Sequence, residues 1–341
     1  MLRNLQLRNF RCFETRVVEF APGFNFIVGR NGRGKTTLLE AACVLLRLQS
    51  QRTASLAPAV RIGQRSFALS GHAGEHLLQF YYSALRRKVA FDGVEQRDLA
   101  EYLRLLRVVS FANHDLEMVH GPAELRRRYL DFIGAQVDGR YRPILRAYER
   151  ALRARNALLK SAHSRPRELA AYTAPLVRAA NLLREMRADI IRRLAPCAAQ
   201  SQCAISGQHE TLVVEYAPGS EEDFATQLER TRAEDERLRL TTIGPHRDDV
   251  RLLVEGRPAA QFASEGQQRT TALALKLAQA RIFTEDSAAP PVLLIDDIFG
   301  ELDAARRNAL LHHLPNESQK LVSATSLDWL EGNWTGPVLQ L

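Results

Sequence analysis

A five-residue apolar run, Phe24 to Val28, opens onto Gly29-Arg30-Asn31-Gly32-Arg33-Gly34-Lys35-Thr36, and a segment of helical periodicity starts at Lys35. This order of strand, glycine loop and helix restricts the fold more than any other feature of the chain. The spacing fits G-x-x-x-x-G-K-[ST] in the strand-to-helix setting that gives the pattern its physical sense. Glycines let the backbone curl until successive N–H groups point into one concavity, and the positive end of the helix dipole faces the same anion. Lys35 is then expected to reach the β and γ phosphates of a nucleotide, with the Thr36 hydroxyl on magnesium. Behind the loop, Leu38, Leu39, Ala42, Leu45 and Leu46 recur at helical spacing.

Two further segments fit the same chemistry. Val292-Leu293-Leu294-Ile295-Asp296-Asp297 is an apolar run ending in two carboxylates, as expected of a buried strand that delivers acids at its C-terminal edge. Asp296 is the candidate metal ligand, directly or through water, and Asp297 the residue that orients or deprotonates an attacking water. Ser264-Glu265-Gly266-Gln267-Gln268 lies 28 residues before Val292, immediately ahead of a helix. Its serine hydroxyl and glycine N–H make a second anion-binding helix start. Two such starts on one nucleotide within one subunit are redundant. The economical reading gives the second to a γ phosphate held by another copy, and the bland one makes it an N-cap with polar neighbours.

Along the chain, β-type runs dominate up to about residue 112: Leu2 to Leu7, Thr15 to Phe20, Phe24 to Val28, Phe67 to Gly71, His76 to Tyr82, Lys88 to Phe91 and Arg107 to Phe111, with Asp92-Gly93 as a hairpin turn. From Pro122 to Pro196 the periodicity becomes that of long amphipathic helices, with Pro166 and Pro175 bracketing a connection. Strand and helix then alternate: Leu212 to Tyr216, Val250 to Val254, a helix from Gln267 to Thr284, Val292 to Ile295, a helix from Ala304 to Leu314, and Lys320 to Ser323. Such alternation predicts a parallel sheet. The expected division is 1–115, 116–205 and 206–341, the middle part being a helical insertion.

Charge singles out that insertion. The 341 residues carry 47 Lys or Arg against 39 acids, a net of +8. Residues 140–194 alone contain fourteen bases and four acids, so the rest of the chain is slightly acidic. A polyanion is therefore expected on the insertion, with Arg126, Arg127, Arg128, Arg153 and Arg155 as candidate DNA contacts; the competing reading is a solvated helical face. No apolar run approaches the ~18 residues needed to cross a bilayer, and the N-terminus lacks a secretory pattern, which predicts a cytoplasmic protein without a membrane partner. Cys12, Cys43, Cys197 and Cys203 lack C-x-x-C spacing and are expected to be buried free thiols.

The order of phosphate loop, Ser-x-Gly-Gln helix and apolar strand ending in Asp-Asp, with Glu301-Leu302-Asp303 beyond, is similar to an ABC-type ATPase head. Within that class the chain resembles the RecF family of bacterial recombination-repair ATPases, nearly end to end. The resemblance rests on Leu5 to Arg11, Gly29 to Glu40, Phe111 to Lys160 and, most specifically, Gly244-Pro245-His246-Arg247-Asp248-Asp249 and Gly266 to Ala278. It implies an α/β fold: an ABC-type P-loop head, with a mixed sheet and flanking helices, carrying a mainly helical second lobe and no long coiled coil. It further implies ATP and Mg2+ on Gly29 to Thr37, Asp296 in the metal shell, and Asp297 and Lys35 in catalysis. Ser264, Gly266, Gln267 and Asp303 are then expected to act across an ATP-dependent homodimer. The implied partners are single- and double-stranded DNA, gapped or junction DNA, and the proteins RecO and RecR that help load RecA, with slow hydrolysis timing release.

The chain departs from the family's pattern in places. Arg30 and Arg33 stand where Glu and Gln are more usual, Glu265 where Gln or Gly is, and Gly300 where Ser is. Near Ala324-Thr325-Ser326, where many ABC ATPases place a histidine that senses the γ phosphate, Thr325 is the nearest polar residue. Two other readings stand beside this one: a diverged paralogue that binds nucleotide without hydrolysing it, and a transport-coupled ABC subunit.

Overall fold

The strand that feeds the glycine loop, Phe24–Val28, is buried at every residue, as a strand covered on both faces must be. In the computed structural model it lies inside a five-stranded sheet ordered Val338–Gln340, Phe24–Val28, Lys320–Ala324, Val292–Asp296, Val108–Ala112, with all neighbours parallel. The structure describes residues 1–341 apart from 54, 98, 162–165, 208, 221, 222, 288 and 331–335. A second sheet, antiparallel and six-stranded, runs Phe13–Glu19, Asn4–Phe10, Ser66–Ala73, His76–Ser83, Arg87–Phe91, Val94–Glu95. Its strands alternate: in Ser66–Ala73 every second residue is buried, the mark of one face on the core and one toward water. Asp92 and Gly93 both take positive φ, 50° and 79°, as a two-residue type I′ hairpin turn requires.

The helix Lys35–Arg47 packs against strands of both sheets, so almost its entire surface is buried. Leu38, Leu39, Val44 and Leu45 meet Leu5, Leu7 and Phe67 of the antiparallel sheet and Val108, Val292, Leu294 and Leu321 of the parallel one in a single core. At about 25 cal/mol per Å2 of apolar surface, this burial fixes the helix behind the loop.

The chain divides into two compact units, Met1–Asp115 with Ala204–Gln208 and Leu275–Leu341, and Leu116–Cys203 with His209–Ala274. The second unit holds the helices Ala123–Val137 and Tyr141–Lys160, nearly all of the 40-residue helix Pro166–Ile205, and a three-stranded antiparallel sheet ordered Arg257–Pro258, Asp249–Val254, Leu212–Ala217. Two expectations need correction. Residues 209–274 group with the helical insertion, which therefore extends well past the boundary expected at 205. Pro175 and Pro196 lie inside the long helix, although an interior proline removes one backbone hydrogen bond; the start of the expected connection, residues 162–165, lies outside the described residues.

Buried charge ties the second unit together. Arg187 bonds Asp131 at 2.8 Å, Asp248 at 2.7 Å and the Pro245 carbonyl at 2.6 Å. Asp248, itself fully buried, also accepts from Tyr216 and from the Gly219 N–H. His246 sits between the Tyr148 hydroxyl at 2.6 Å and the Thr241 carbonyl at 2.9 Å, and burial lowers its pKa. The segment Gly244–Asp249 thus joins the sheet to all three helices. Of the four cysteines only Cys43 is fully buried, its thiol pushed up to about 12 by desolvation; Cys12 is exposed, against expectation. Among the described residues no helix is long and apolar enough to cross a membrane.

Candidate nucleotide-binding site

The glycine loop turns where its sequence requires. Gly34, with φ of 98°, caps the helix Lys35–Arg47, and a Cβ there would lie 2.6 Å from the Phe13 ring. Only glycine satisfies both the left-handed backbone and that contact. Lys35 spans the loop, donating to the Gly29 carbonyl at 2.7 Å and to Asn31 Oδ1 at 3.3 Å, so that a buried lysine closes the loop on itself.

Asp296 ends the strand Val292–Asp296 two positions across the sheet from the strand that feeds the loop. Its Oδ1 accepts from Thr36 Oγ1 at 2.9 Å and from Ser323 Oγ, on the intervening strand, at 2.7 Å. Residues 260 positions apart are thereby joined. Asp297 follows in a left-handed conformation with φ of 51°. Burial raises its carboxyl pKa against the lowering effect of Lys35, and Asp296 and Glu301 raise it further. A carboxylate so placed is a better proton acceptor than an ordinary aspartate.

Thr36 and Asp297 line a cleft of about 500 Å3 together with Asn31, Gly32, Gly34, Lys35 and Thr37. The rest of its lining is Arg11, Cys12, Arg52, Pro58, Val60 and Ile62, none of which was expected as a site residue. The fully buried Glu40 explains the placement of two of them: it accepts from Arg11 at 2.7 and 3.0 Å, from Arg52 at 3.4 Å and from Ser50 at 2.6 Å. One acid inside the loop helix thus anchors two separate segments of that lining. Ile62, 97% exposed, is an apolar side chain left open at the cleft. Arg30 and Arg33 are exposed and make no side-chain hydrogen bond or ion pair among the described residues.

In the second unit, Ser264 and Gln267 form a reciprocal cap on the helix Glu265–Glu285. The Gln267 N–H donates to Ser264 Oγ at 3.3 Å and the Ser264 N–H to Gln267 Oε1 at 2.9 Å, the geometry of a capping box. Gly266 lies in its first turn. Asp303 caps the helix Ala304–His313 in the first unit, accepting from the Arg306 N–H at 2.9 Å. Thr325 is exposed just past the strand Lys320–Ala324.

The candidate DNA arginines separate by burial. Arg155 is 2% exposed, paired with Asp235 at 2.8 Å and bonded to Thr241 at 2.6 Å, so its expected phosphate contact is withdrawn. Arg126 grips both oxygens of Asp249, at 2.6 and 3.1 Å, and the carbonyls of Met118 and Gly121, which commits its guanidinium internally as well. Arg127 bonds the Asp248 carbonyl at 2.7 Å. Arg128 and Arg153 are exposed, and among the described residues they pair with the exposed Glu124 and Glu149 one helical turn away.

Residues 4–69 match a family model described as an AAA domain. A curated relative from Symbiobacterium thermophilum, named DNA replication and repair protein RecF, is 36% identical over 96% of this chain and 92% of its own length. The chain belongs to the RecF family. The RecF of Nostoc punctiforme is 35% identical over 98% of this chain and 95% of its own. A solved structure described as the recombination mediator protein RecF with ATP in the RecFOR pathway superposes with a TM-score of 0.89 at 27% identity, covering 99% of this chain and 95% of that one. An Smc head bound to the C-terminal winged-helix domain of ScpA shares the fold, with a TM-score of 0.54 at 15% identity. The fold of this RecF member is thus that of an ABC-type head with a second, largely helical unit and, among the described residues, no long coiled coil.

Proposed function

We propose that the chain is an ATP-controlled DNA-binding protein of recombinational repair and replication restart. The observation that carries this reading is the 2.9 Å bond from Thr36 to Asp296 beneath a loop already spanned by Lys35, in a chain related to RecF over nearly its whole length. The residues fit a magnesium-bound nucleoside triphosphate. The loop offers backbone donors and a cation for phosphate, whereas Thr36 and Asp296 offer a hard cation only two oxygen ligands, leaving the others to phosphate and water. Magnesium supplies charge neutralisation for phosphoryl transfer when bound.

The chain's own groups supply the rest. Lys35 exchanges the Gly29 carbonyl for phosphate oxygens, which are stronger acceptors. Asp297 orients a water and takes its proton, helped by its raised pKa. Aspartate is one methylene shorter than the glutamate common in fast ABC heads, so turnover is slow, well below the ~10 per second typical of enzymes. Ser264, Gly266, Gln267 and Asp303 act on the nucleotide of a second copy, so that ATP holds two subunits together. DNA with gaps or single-to-double-strand junctions is captured in that state, in the cytoplasm, with RecO and RecR as partners in loading RecA. Arg128 and Arg153 are the candidates for phosphate contact.

The test is magnesium-dependent phosphate release by the purified chain, with and without gapped DNA. Slow release, stimulated by DNA and abolished in Asp297→Asn while nucleotide binding persists, is the expected result. Nucleotide that binds to the wild type but is never hydrolysed favours the non-hydrolysing paralogue instead.

A further inference from the structure

Two exposed, unpartnered arginines at the tip of the phosphate loop are not explained by nucleotide binding. In the reading above the loop backbone and Lys35 serve the phosphates, and neither Arg30 nor Arg33 makes a side-chain bond among the described residues. At the other candidate anion-binding helix start, immediately after Ser264, stands Glu265. Its side chain is 75% exposed and, among the described residues, pairs with Arg269 at 3.0 Å within its own helix. The two segments carry opposite sign: exposed cations at the loop tip, an exposed acid at the helix start.

We propose that Arg30 and Arg33 of one subunit pair with Glu265 of the partner subunit when nucleotide joins the two. This inference rests on the reading above, in which Ser264 and Gly266 meet the phosphates held by the other copy's loop. In that arrangement Glu265, alone, would bring an acid toward a triphosphate and weaken closure; two arginines beside the phosphates turn the same acid into a partner. Two-fold symmetry makes the pairing occur twice per dimer. Charge pairs at an interface also steer encounter and set which subunits associate, so the closed dimer is expected to weaken with salt. The device acts on self-recognition: a subunit carrying the arginines selects a second copy carrying the acid.

The experiment is sedimentation of the full chain with magnesium and a non-hydrolysable ATP analogue, at an analogue concentration where occupancy is measured and matched. The variants are Arg30→Glu with Arg33→Glu, Glu265→Arg, and the three substitutions combined. The proposal predicts that each one-sided reversal weakens the dimer by about tenfold or more, and that the combined reversal restores it to within about threefold of wild type. Losses that simply add, or one-sided reversals without effect, overturn the pairing while leaving the nucleotide-joined dimer intact. A loop variant that cannot be brought to occupancy by the analogue assigns the arginines to phosphate and overturns the pairing likewise. A wild type that stays monomeric with nucleotide bound refutes the underlying dimer itself.

Discussion

Lys35 of the loop and Asp297, just past the strand Val292–Asp296, line the same cleft. Removing the Lys35 ammonium deletes charge-assisted hydrogen bonds worth roughly 1.5–3 kcal/mol each, so Lys35→Ala is expected to weaken ATP binding by about 30-fold or more, measurable by fluorescent-nucleotide titration. Asp297 makes a different prediction. Its folded pKa is raised, by burial first and by Asp296 and Glu301 in addition, whereas the unfolded chain keeps an ordinary value of about 3.9. The folded state therefore binds the proton more tightly, and stability falls as pH rises from about 4 through the folded pKa. Asp297→Asn removes this penalty: its melting temperature is expected to exceed that of wild type at pH 7, with the margin shrinking toward pH 4. A margin that grows on acidification contradicts the assignment. The sequence marked Lys35, Thr36, Asp296 and Asp297 because their residue types and spacing are dictated by phosphate and magnesium. It did not mark Arg11 or Arg52, because what places them is Glu40, an acid buried in the loop helix, and nothing in the periodicity of that helix says which acid will be paired.

Elements with strict periodicity were legible, and their junctions less so. Phe24–Val28 is where its apolar run placed it, and Val292–Asp296 and Lys320–Ala324 extend the predicted strands by one residue each, since strands buried on both faces admit few polar residues. The limits of the insertion were not legible, because residues 209–274 join it through the buried arginines and their acids rather than through any run of helical pattern. The strand Val338–Gln340 was missed: it is short and mostly exposed, and its place is set by parallel pairing with Phe24–Val28 and by Leu339 against the core, neither of which its sequence pattern announces. The arginines show the same limit, since composition counts Arg153 and Arg155 alike, although one faces water and the other is buried against Asp235. Breaking a buried pair leaves an unpaired charge and costs about 3–5 kcal/mol. Arg155→Ala and Asp248→Ala are therefore expected to lower unfolding free energy by about that amount in denaturant titrations. Arg153→Ala should leave stability within about 0.5 kcal/mol and lower the salt slope of DNA binding by about one. A salt slope that moves with Arg155 and not with Arg153 reverses this assignment.

For the molecule as a whole, the first unit carries the glycine loop with Lys35 and Thr36 and the acids Asp296 and Asp297, and the second carries the capped helix start at Ser264 and the exposed Arg128 and Arg153. In the proposed function the phosphate loop governs DNA capture. The most direct test is anisotropy of a labelled gapped duplex at one fixed salt concentration, with ATP, with ADP, and with the Lys35→Ala variant in ATP. Binding that appears with ATP and is lost with ADP and in the variant is the predicted result. Equal binding in all three would show that the basic surface alone holds DNA, and would contradict ATP control.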